Sequence, residues 1–192
     1  MTTQLLFLGL VLALAAQRLF ELRLSARNEA TLKARGAREA GAGHFGAMRL
    51  LHTLWFVAMV AEVFLLDRPF VPALAAVGGV GLVVGQALRY AAIRTLGERW
   101  TVRVLVLPGA PPVSGGIYRW IRHPNYLGVI LEIAAVPILH TAWVTSVSFS
   151  LLNAVLLRTR ICAEERALEA AGDYGGVLPA DRFLPLGHTG TD

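Results

Sequence analysis

Long apolar stretches alternate with short polar segments along the whole chain. A bilayer core of about 30 Å is crossed by a helix of roughly 20 apolar residues. Five stretches approach or reach that length: residues 5–20, 50–66, 71–93, 126–139 and 142–161. The last helix is expected to continue to about residue 171, and the His140-Thr141 link before it predicts a tight helical hairpin. The pattern therefore predicts an all-α, polytopic integral membrane protein with about five transmembrane helices.

The same pattern predicts a single domain over residues 1–192. Residues 1–93 contain three predicted spans and a basic cytoplasmic loop. Residues 94–171 contain a polar connector, the helical hairpin and the candidate catalytic elements. Residues 172–192 are rich in Gly and Pro, and we expect them to form a cytoplasmic tail without a further span.

The distribution of charge supports this arrangement. Only 16% of residues are charged, against about 25% in soluble domains. With five spans, 17 of the 18 Lys and Arg residues lie on one side of the membrane, and only Arg68 lies on the other. Cytoplasmic loops collect Lys and Arg, so we expect the N-terminus outside and the C-terminus in the cytoplasm. The net charge of +5 then reflects topology, and nucleic-acid binding is not expected.

Several other functions are disfavoured by composition. Cys162 is the only cysteine, which excludes an internal disulfide or a multi-cysteine metal site. His44 and His52 have no third ligand at metal spacing, so no metal is expected. Gly81 and Gly85 lie four residues apart within an apolar run, a spacing that allows close packing of membrane helices. The high content of Ala, Leu, Arg and Gly indicates a bacterial source, and therefore an inner-membrane location.

Polar residues inside the predicted spans are costly in hydrocarbon, so each needs a hydrogen-bond partner or a polar cavity. Glu132 and Asn153 are two such residues. Four polar residues of the first helix share one face at spacings of three and four: Arg18, Glu21, Ser25 and Asn28. The simpler interpretation of this face is a helix lying in the membrane interface with snorkelling arginines. The alternative is a strip that lines a substrate site.

The densest polar cluster covers residues 116–128. Pro124 suits the first turn of a helix, where its missing N–H is harmless. His123 would then be the N-cap residue, beside unpaired backbone N–H groups and the positive end of the helix dipole. With Arg122, Tyr118 and Tyr126 nearby, this region could hold an anionic group, or it could be an interfacial belt of aromatic and arginine side chains.

A second cluster covers residues 158–168. Asn153, Leu157, Arg160 and Glu164 share one helix face. Arg160 and Glu164 are expected where the last span leaves the membrane. A surface ion pair between them is the simpler alternative to a functional role, and such a pair contributes only about 0.3–0.5 kcal/mol.

The two clusters carry a family resemblance. Residues 122–128 read RHPNYLG, and after the predicted hairpin residues 164–168 read EERAL. This order and spacing resembles the isoprenylcysteine carboxyl methyltransferase family and the related phospholipid methyltransferases, over roughly residues 96–185. The stretch RLFELRLSARN at residues 18–28 is similar to a bacterial branch of that family.

The resemblance implies a methyltransferase that uses S-adenosyl-L-methionine, bound at the cytoplasmic face by loop and helix ends. The residues that it assigns to the cofactor are Tyr118, His123, Pro124, Asn125, Tyr126 and Glu164, together with Val113 in a cofactor loop and Arg103 where the family has a glutamine. It assigns Arg160 to orientation of the acceptor. We also expect Asn153 and Glu132 to line the route by which a lipophilic acceptor enters from the bilayer.

Two questions stay open at this stage. The acceptor could be a prenylated cysteine carboxylate or a lipid-like enol or phenol such as an alkylpyrone, and Glu164 could contact either the ammonium or the ribose hydroxyls of the cofactor. Outside the methyltransferases, the architecture also resembles NADPH-dependent membrane sterol reductases, and a non-catalytic scaffold is a further alternative.

Overall fold

Five helices carry the fold of the computed structural model, which describes residues 1–40, 43–172, 176–177 and 182–183. In chain order they are α1 (Thr2–Ala34), α2 (Gly43–Leu65), α3 (Pro72–Leu96), α4 (Pro124–Ile138) and α5 (Trp143–Ala171). Most of the predicted tail at residues 172–192 lies outside the described residues, as does the side chain of His44. The all-α prediction is confirmed, and the boundaries of α3, α4 and α5 differ from the predicted ones by at most a few residues.

Three of these helices are long and apolar enough to cross a membrane. They are α1, the Phe45–Leu65 part of α2, and α3 with the short turn that follows it, Pro72–Arg99. The fourth helix is apolar but has only 15 residues, and the fifth has 29. The chain is therefore an integral membrane protein.

The predicted hairpin joins α4 to α5 as expected. Glu62 of α2 stabilises its second arm, because the carboxylate accepts hydrogen bonds from the Thr145 backbone N–H and hydroxyl, both at 2.7 Å. Arg68 pairs with the same carboxylate at 2.8 Å. An acceptor at a helix N-terminus satisfies N–H groups that have no partner within the helix, so Glu62 fixes the start of α5.

The first helix differs from the prediction. It continues without a break to Ala34, and Glu21, Ser25 and Asn28 are buried, so the interpretation of this face as an exposed interfacial strip is wrong. The polar face of α1 is buried because the connector between α3 and α4 packs against it. Asn28 donates to the Trp100 carbonyl at 2.8 Å, and the Val102 N–H donates to the Ser25 hydroxyl at 2.9 Å.

A short two-stranded ribbon was not predicted. Strand β1 (Arg38–Ala40) pairs antiparallel with β2 (Val104–Val106). The ribbon joins the chain after α1 to the connector, and both valines of β2 are buried. It therefore provides a second attachment of the connector beside α1.

The closest helix contact lies between α3 and α4. A Cβ atom on Gly78 would lie 2.8 Å from the Ala135 carbonyl oxygen, and one on Gly81 would lie 2.7 Å from the Ala135 Cβ. On the facing helix, a Cβ atom on Gly128 would lie 2.7 Å from the Gly85 carbonyl oxygen. The close packing predicted from Gly81 and Gly85 is confirmed, and it brings the two backbones together over most of α4.

This contact makes Gly78→Ala destabilising. The added methyl group meets backbone atoms of α4 that cannot rotate away, and overpacking of this kind costs about 1–3 kcal/mol. Gly79→Ala is the matched control, because a Cβ atom there has no neighbour within 4 Å. We expect the thermal unfolding midpoint in detergent to fall by several degrees for Gly78→Ala and to stay level or rise slightly for Gly79→Ala, because Ala favours a helix over Gly. Equal midpoints would contradict the packing.

Candidate active site

A cavity of about 570 Å³ opens where the start of α4, the end of α5 and the connector meet. Seven side chains form what we call its polar end: Tyr118, Arg122, His123, Asn125, Tyr126, Arg160 and Glu164. The cavity extends from there between α1 and α2, where Leu19, Met48 and Phe56 are among the lining residues. We call this part the α1–α2 lobe. One continuous space therefore joins charged groups to a largely apolar passage.

The start of α4 is built as the sequence predicted. His123 is the N-cap residue and Pro124 follows at the first helical position. Asn125 lies in the first turn, and its Oδ1 atom is buried without a hydrogen-bond partner in the part of the chain that the structure describes. A helix start with an unused buried acceptor is suited to a polar ligand.

Tyr126 connects the two sequence clusters. Its hydroxyl donates to Glu164 and accepts a hydrogen bond from Arg160 Nε at 2.8 Å. Arg160 Nη2 also donates to the Val102 carbonyl of the connector. Among the described residues, no direct ion pair joins Arg160 to Glu164. The tyrosine hydroxyl stands between them, and two hydrogen bonds fix the plane of the guanidinium.

Glu165 organises a second group of contacts that the sequence reasoning missed. Its carboxylate accepts hydrogen bonds from Arg182 Nη2 at 2.6 Å and from His123 Nε2 at 3.0 Å, and Arg122 lies 3.5 Å away. The backbone N–H of His123 also donates to the backbone carbonyl of Arg182 at 3.0 Å. We call Glu165, His123 and Arg182 the Glu165 clasp. In the sequence, the only indication of this group was that Glu165 stands next to Glu164 in the EERAL motif.

Burial by itself would raise the pKa of Glu165, but the hydrogen bonds from Arg182 and His123 outweigh it and hold the pKa below its usual 4.5. The folded pKa is thus lower than the unfolded one. The clasp therefore contributes stability above about pH 4.5, and this contribution is lost as the pH falls through the lowered pKa.

Two predicted site residues lie away from the cavity wall. Glu132 belongs to an ionic cluster with Arg18, Glu21 and Arg89, in which Arg18 contacts both glutamates and Arg89 Nε lies 3.5 Å from Glu132. Asn153 is buried, with its Oδ1 unpartnered among the described residues. Neither is among the residues that line the cavity. Arg89, the partner from α3, is buried as well.

The remaining predicted residues fall around the polar end. Tyr118 and Val113 line the cavity, and Pro124 is buried behind it. Arg103 also lines the cavity, but its guanidinium pairs with Glu39 at 2.6 Å and stacks over Phe45 at 4.3 Å. The structure thus brings most of the predicted cofactor residues together and leaves Arg103 engaged with the β1 side.

The chain is similar to a known protein family and to several known proteins. Residues 76–170 match the model of the isoprenylcysteine carboxyl methyltransferase family. The chain is 40% identical over 164 residues to the uncharacterized protein YpbQ of Bacillus subtilis strain 168, covering 85% of this chain and 97% of that protein. It is 27% identical over 165 residues to an uncharacterized protein of Haemophilus influenzae, covering 85% of this chain and 95% of that protein.

One solved structure is also similar. It is the eukaryotic intramembrane Ras methyltransferase ICMT, with a TM-score of 0.49 and 22% sequence identity. The match covers 68% of this chain and 48% of that one, so the present chain spans about half the length of that enzyme.

Loss of the Glu165 carboxylate should release the segment at Arg182. Glu165→Gln removes the charge that holds an arginine whose side chain is 49% exposed, and exposed pairs of this kind contribute about 0.2–1 kcal/mol. We therefore expect trypsin to cleave after Arg182 up to about fivefold faster, as followed by mass spectrometry in detergent. Glu98→Gln is the control, because Glu98 forms an exposed pair with Arg35 that lies away from Arg182 in sequence. An unchanged cleavage rate in Glu165→Gln would show that the clasp does not hold this segment.

Proposed function

Because the chain belongs to the isoprenylcysteine carboxyl methyltransferase family and is a membrane methyltransferase of that type, we propose that it transfers a methyl group from S-adenosyl-L-methionine to an oxygen atom of a lipophilic acceptor. The observation that carries the proposal is the continuous cavity, in which the polar end meets the α1–α2 lobe. A charged, water-soluble donor and an apolar acceptor could enter from opposite ends and meet at Tyr126.

The polar end fits the proposed cofactor. S-adenosyl-L-methionine carries a carboxylate and an ammonium group, and when bound it supplies an electrophilic methyl group on a sulfonium. The unpartnered Asn125 Oδ1 and the Glu164 carboxylate are acceptors suited to the ammonium or the ribose hydroxyls. Arg122 and the N–H groups at the start of α4 are suited to the carboxylate. Tyr118 and His123 complete the wall on this side.

Arg160 is suited to orient the acceptor. Its Nε and Nη2 atoms are held by Tyr126 and the Val102 carbonyl, and among the described residues Nη1 makes no hydrogen bond. A guanidinium held in one plane with a remaining donor can align an anionic or polar oxygen. Alignment of donor and acceptor, with exclusion of water, is the main requirement for this displacement.

The shape of the same cavity supports both acceptor classes that the sequence left open. A prenylated cysteine carboxylate or an alkylpyrone-like enol would place its polar oxygen at the polar end and its chain in the α1–α2 lobe. We further propose a bacterial inner-membrane location with the C-terminus and the polar end facing the cytoplasm, because a chain with the five predicted spans would have most of its basic residues outside the spans on that side.

Cofactor binding tests the first half of this proposal. Glu164→Gln keeps the shape but removes the charge, and loss of a charge-assisted hydrogen bond of about 1.5–3 kcal/mol predicts roughly 10–150-fold weaker binding of radiolabelled S-adenosyl-L-methionine. Glu169→Gln, on an exposed part of the same helix, should bind like the wild type. Binding of NADPH by the wild type in place of S-adenosyl-L-methionine would overturn the proposed function.

Turnover of the acceptor tests the second half. Arg160→Ala should reduce methyl transfer by at least tenfold while cofactor affinity stays within a few-fold, since Arg160 acts on the acceptor. Lysine should rescue only partly, because it keeps the charge and loses the planar fork. Arg158→Ala is the matched control, exposed two residues earlier. The assay should present prenylcysteine and alkylpyrone acceptors in parallel, and near wild-type turnover in Arg160→Ala would contradict the role.

A further inference from the structure

The polar face of α1 includes a hydroxyl group that the proposed chemistry has not yet used. It belongs to Ser25, in the stretch RLFELRLSARN at residues 18–28. Ser25 is 1% exposed and is not among the described residues that line the cavity. A buried hydroxyl is costly unless it is hydrogen-bonded, so its partners indicate what it does.

The Ser25 hydroxyl forms two hydrogen bonds in opposite senses. It donates its proton to Glu29 Oε1 at 2.8 Å, one turn further along α1. Its oxygen accepts the backbone N–H of Val102 at 2.9 Å. A serine hydroxyl has one donor and two acceptor sites, so the bond to Glu29 takes the proton and leaves the oxygen as an acceptor for the connector.

Val102 continues this link to α5. It lines the cavity, and its carbonyl accepts a hydrogen bond from Arg160 Nη2. Around it, the Thr101 hydroxyl donates to the Arg103 carbonyl at 2.6 Å, which closes a tight local loop at residue 102. Through the N–H and the carbonyl of one residue, the connector therefore joins the Ser25 hydroxyl to the guanidinium of Arg160.

The direction of the Val102 carbonyl bears directly on the Arg160 guanidinium. In the described part of the chain, Arg160 Nε donates to the Tyr126 hydroxyl at 2.8 Å, and Nη2 donates to the Val102 carbonyl. A planar group that is held at one atom tilts about that contact, and the second bond prevents the tilt. Without Ser25 the Val102 N–H would lose its acceptor at a partly buried position. Since an unpaired N–H there is costly, residue 102 would turn towards another partner, and its carbonyl would turn with it.

We propose that Ser25 is a positioning residue for the methyl acceptor: it holds residue 102 so that the Val102 carbonyl keeps the Arg160 guanidinium in the plane that meets the acceptor oxygen. This inference rests on the proposed function, in which Arg160 orients the acceptor. It gives the polar face of α1 a role that differs from both interpretations of the sequence. Ser25 acts on the site from behind the connector and touches neither substrate.

The first test observes Arg160 in the protein without ligands. With ¹⁵N-labelled arginine, the Nε–H signal reports how the guanidinium is held, and Arg160→Lys identifies the Arg160 signal by removing it. Ser25→Ala should shift or broaden this signal, because the guanidinium loses its fixed plane. Thr31→Ala is the matched control on the same helix, since its exposed hydroxyl donates to the Arg27 carbonyl within α1. An Arg160 signal that stays unchanged in Ser25→Ala would overturn the inference.

The second test separates turnover from cofactor binding. It uses whichever of the prenylcysteine and alkylpyrone acceptors the wild type methylates. Loss of one hydrogen bond at a partly buried group corresponds to about 3–30-fold, and Ser25→Ala should lower kcat by that factor. Its affinity for S-adenosyl-L-methionine should stay within twofold, because Tyr126 and Glu164 keep their hydrogen bond, and this affinity also verifies the fold. A parallel loss of turnover and cofactor affinity would indicate a generally loosened connector and would contradict the proposal.

A double-mutant cycle shows whether Ser25 acts through Arg160. In an Arg160→Ala background the Val102 carbonyl has no guanidinium to hold, so Ser25→Ala should cause less than twofold further loss of turnover. Equal losses in the two backgrounds would show a purely structural role for Ser25 and would leave the proposed function intact. Failure of the wild type to bind S-adenosyl-L-methionine would overturn the proposed function itself, while the Arg160 signal would still report the link through residue 102.

Discussion

The rest of the structure depends on the close approach of α3 and α4. Glycines on both helices let the backbones meet, and the same contact makes room for charged side chains. A Cβ atom on Gly128 would lie 2.6 Å from Arg89 Cγ, and one on Gly85 would lie 3.0 Å from Glu132 Cγ. The small residues thus allow Arg89 and Glu132 to reach each other between the helices. Burial of these charges is tolerable because they are paired, and the pairing ties α1, α3 and α4 together.

Hydrophobic pattern and helix punctuation were enough to predict much of the fold. The apolar runs predicted the helices. Pro124 and His123 predicted the start of α4, and the Gly81–Gly85 spacing predicted a close helix contact, which the structure shows with α4. Each of these features is encoded within a few neighbouring residues. The full length of α1 and the burial of its polar face could not be predicted from neighbouring residues. Ser25 and Asn28 are polar, and their burial depends on a connector that lies more than 70 residues away in sequence.

In the candidate site, too, some features could be predicted from neighbouring residues and others depend on contacts between distant parts of the chain. Sequence spacing placed Arg160 and Glu164 on one face of α5, and the family resemblance assigned them to a shared site. Spacing could not show that the Tyr126 hydroxyl lies between them. It also could not distinguish Glu165 from Glu164, since the direction of each carboxylate depends on where α4 and Arg182 lie. Glu132 was expected to line the acceptor route because it is a polar residue in a predicted span. A polar residue in a span is satisfied by ionic partners as readily as by a cavity, and Glu132 has ionic partners.

The short length of α4 bears on how deep in the membrane the proposed chemistry would take place. Fifteen residues span about 22 Å at 1.5 Å per residue, which is about 8 Å less than the hydrocarbon core of a typical bilayer. If the hairpin end of α4 lies at one surface, its first turn stops short of the other surface. Local thinning of the bilayer or recession of the helix start accommodates such a mismatch. Under the proposed function, a lipid acceptor would then be methylated while its chain remains in the leaflet, and product release would require only lateral diffusion.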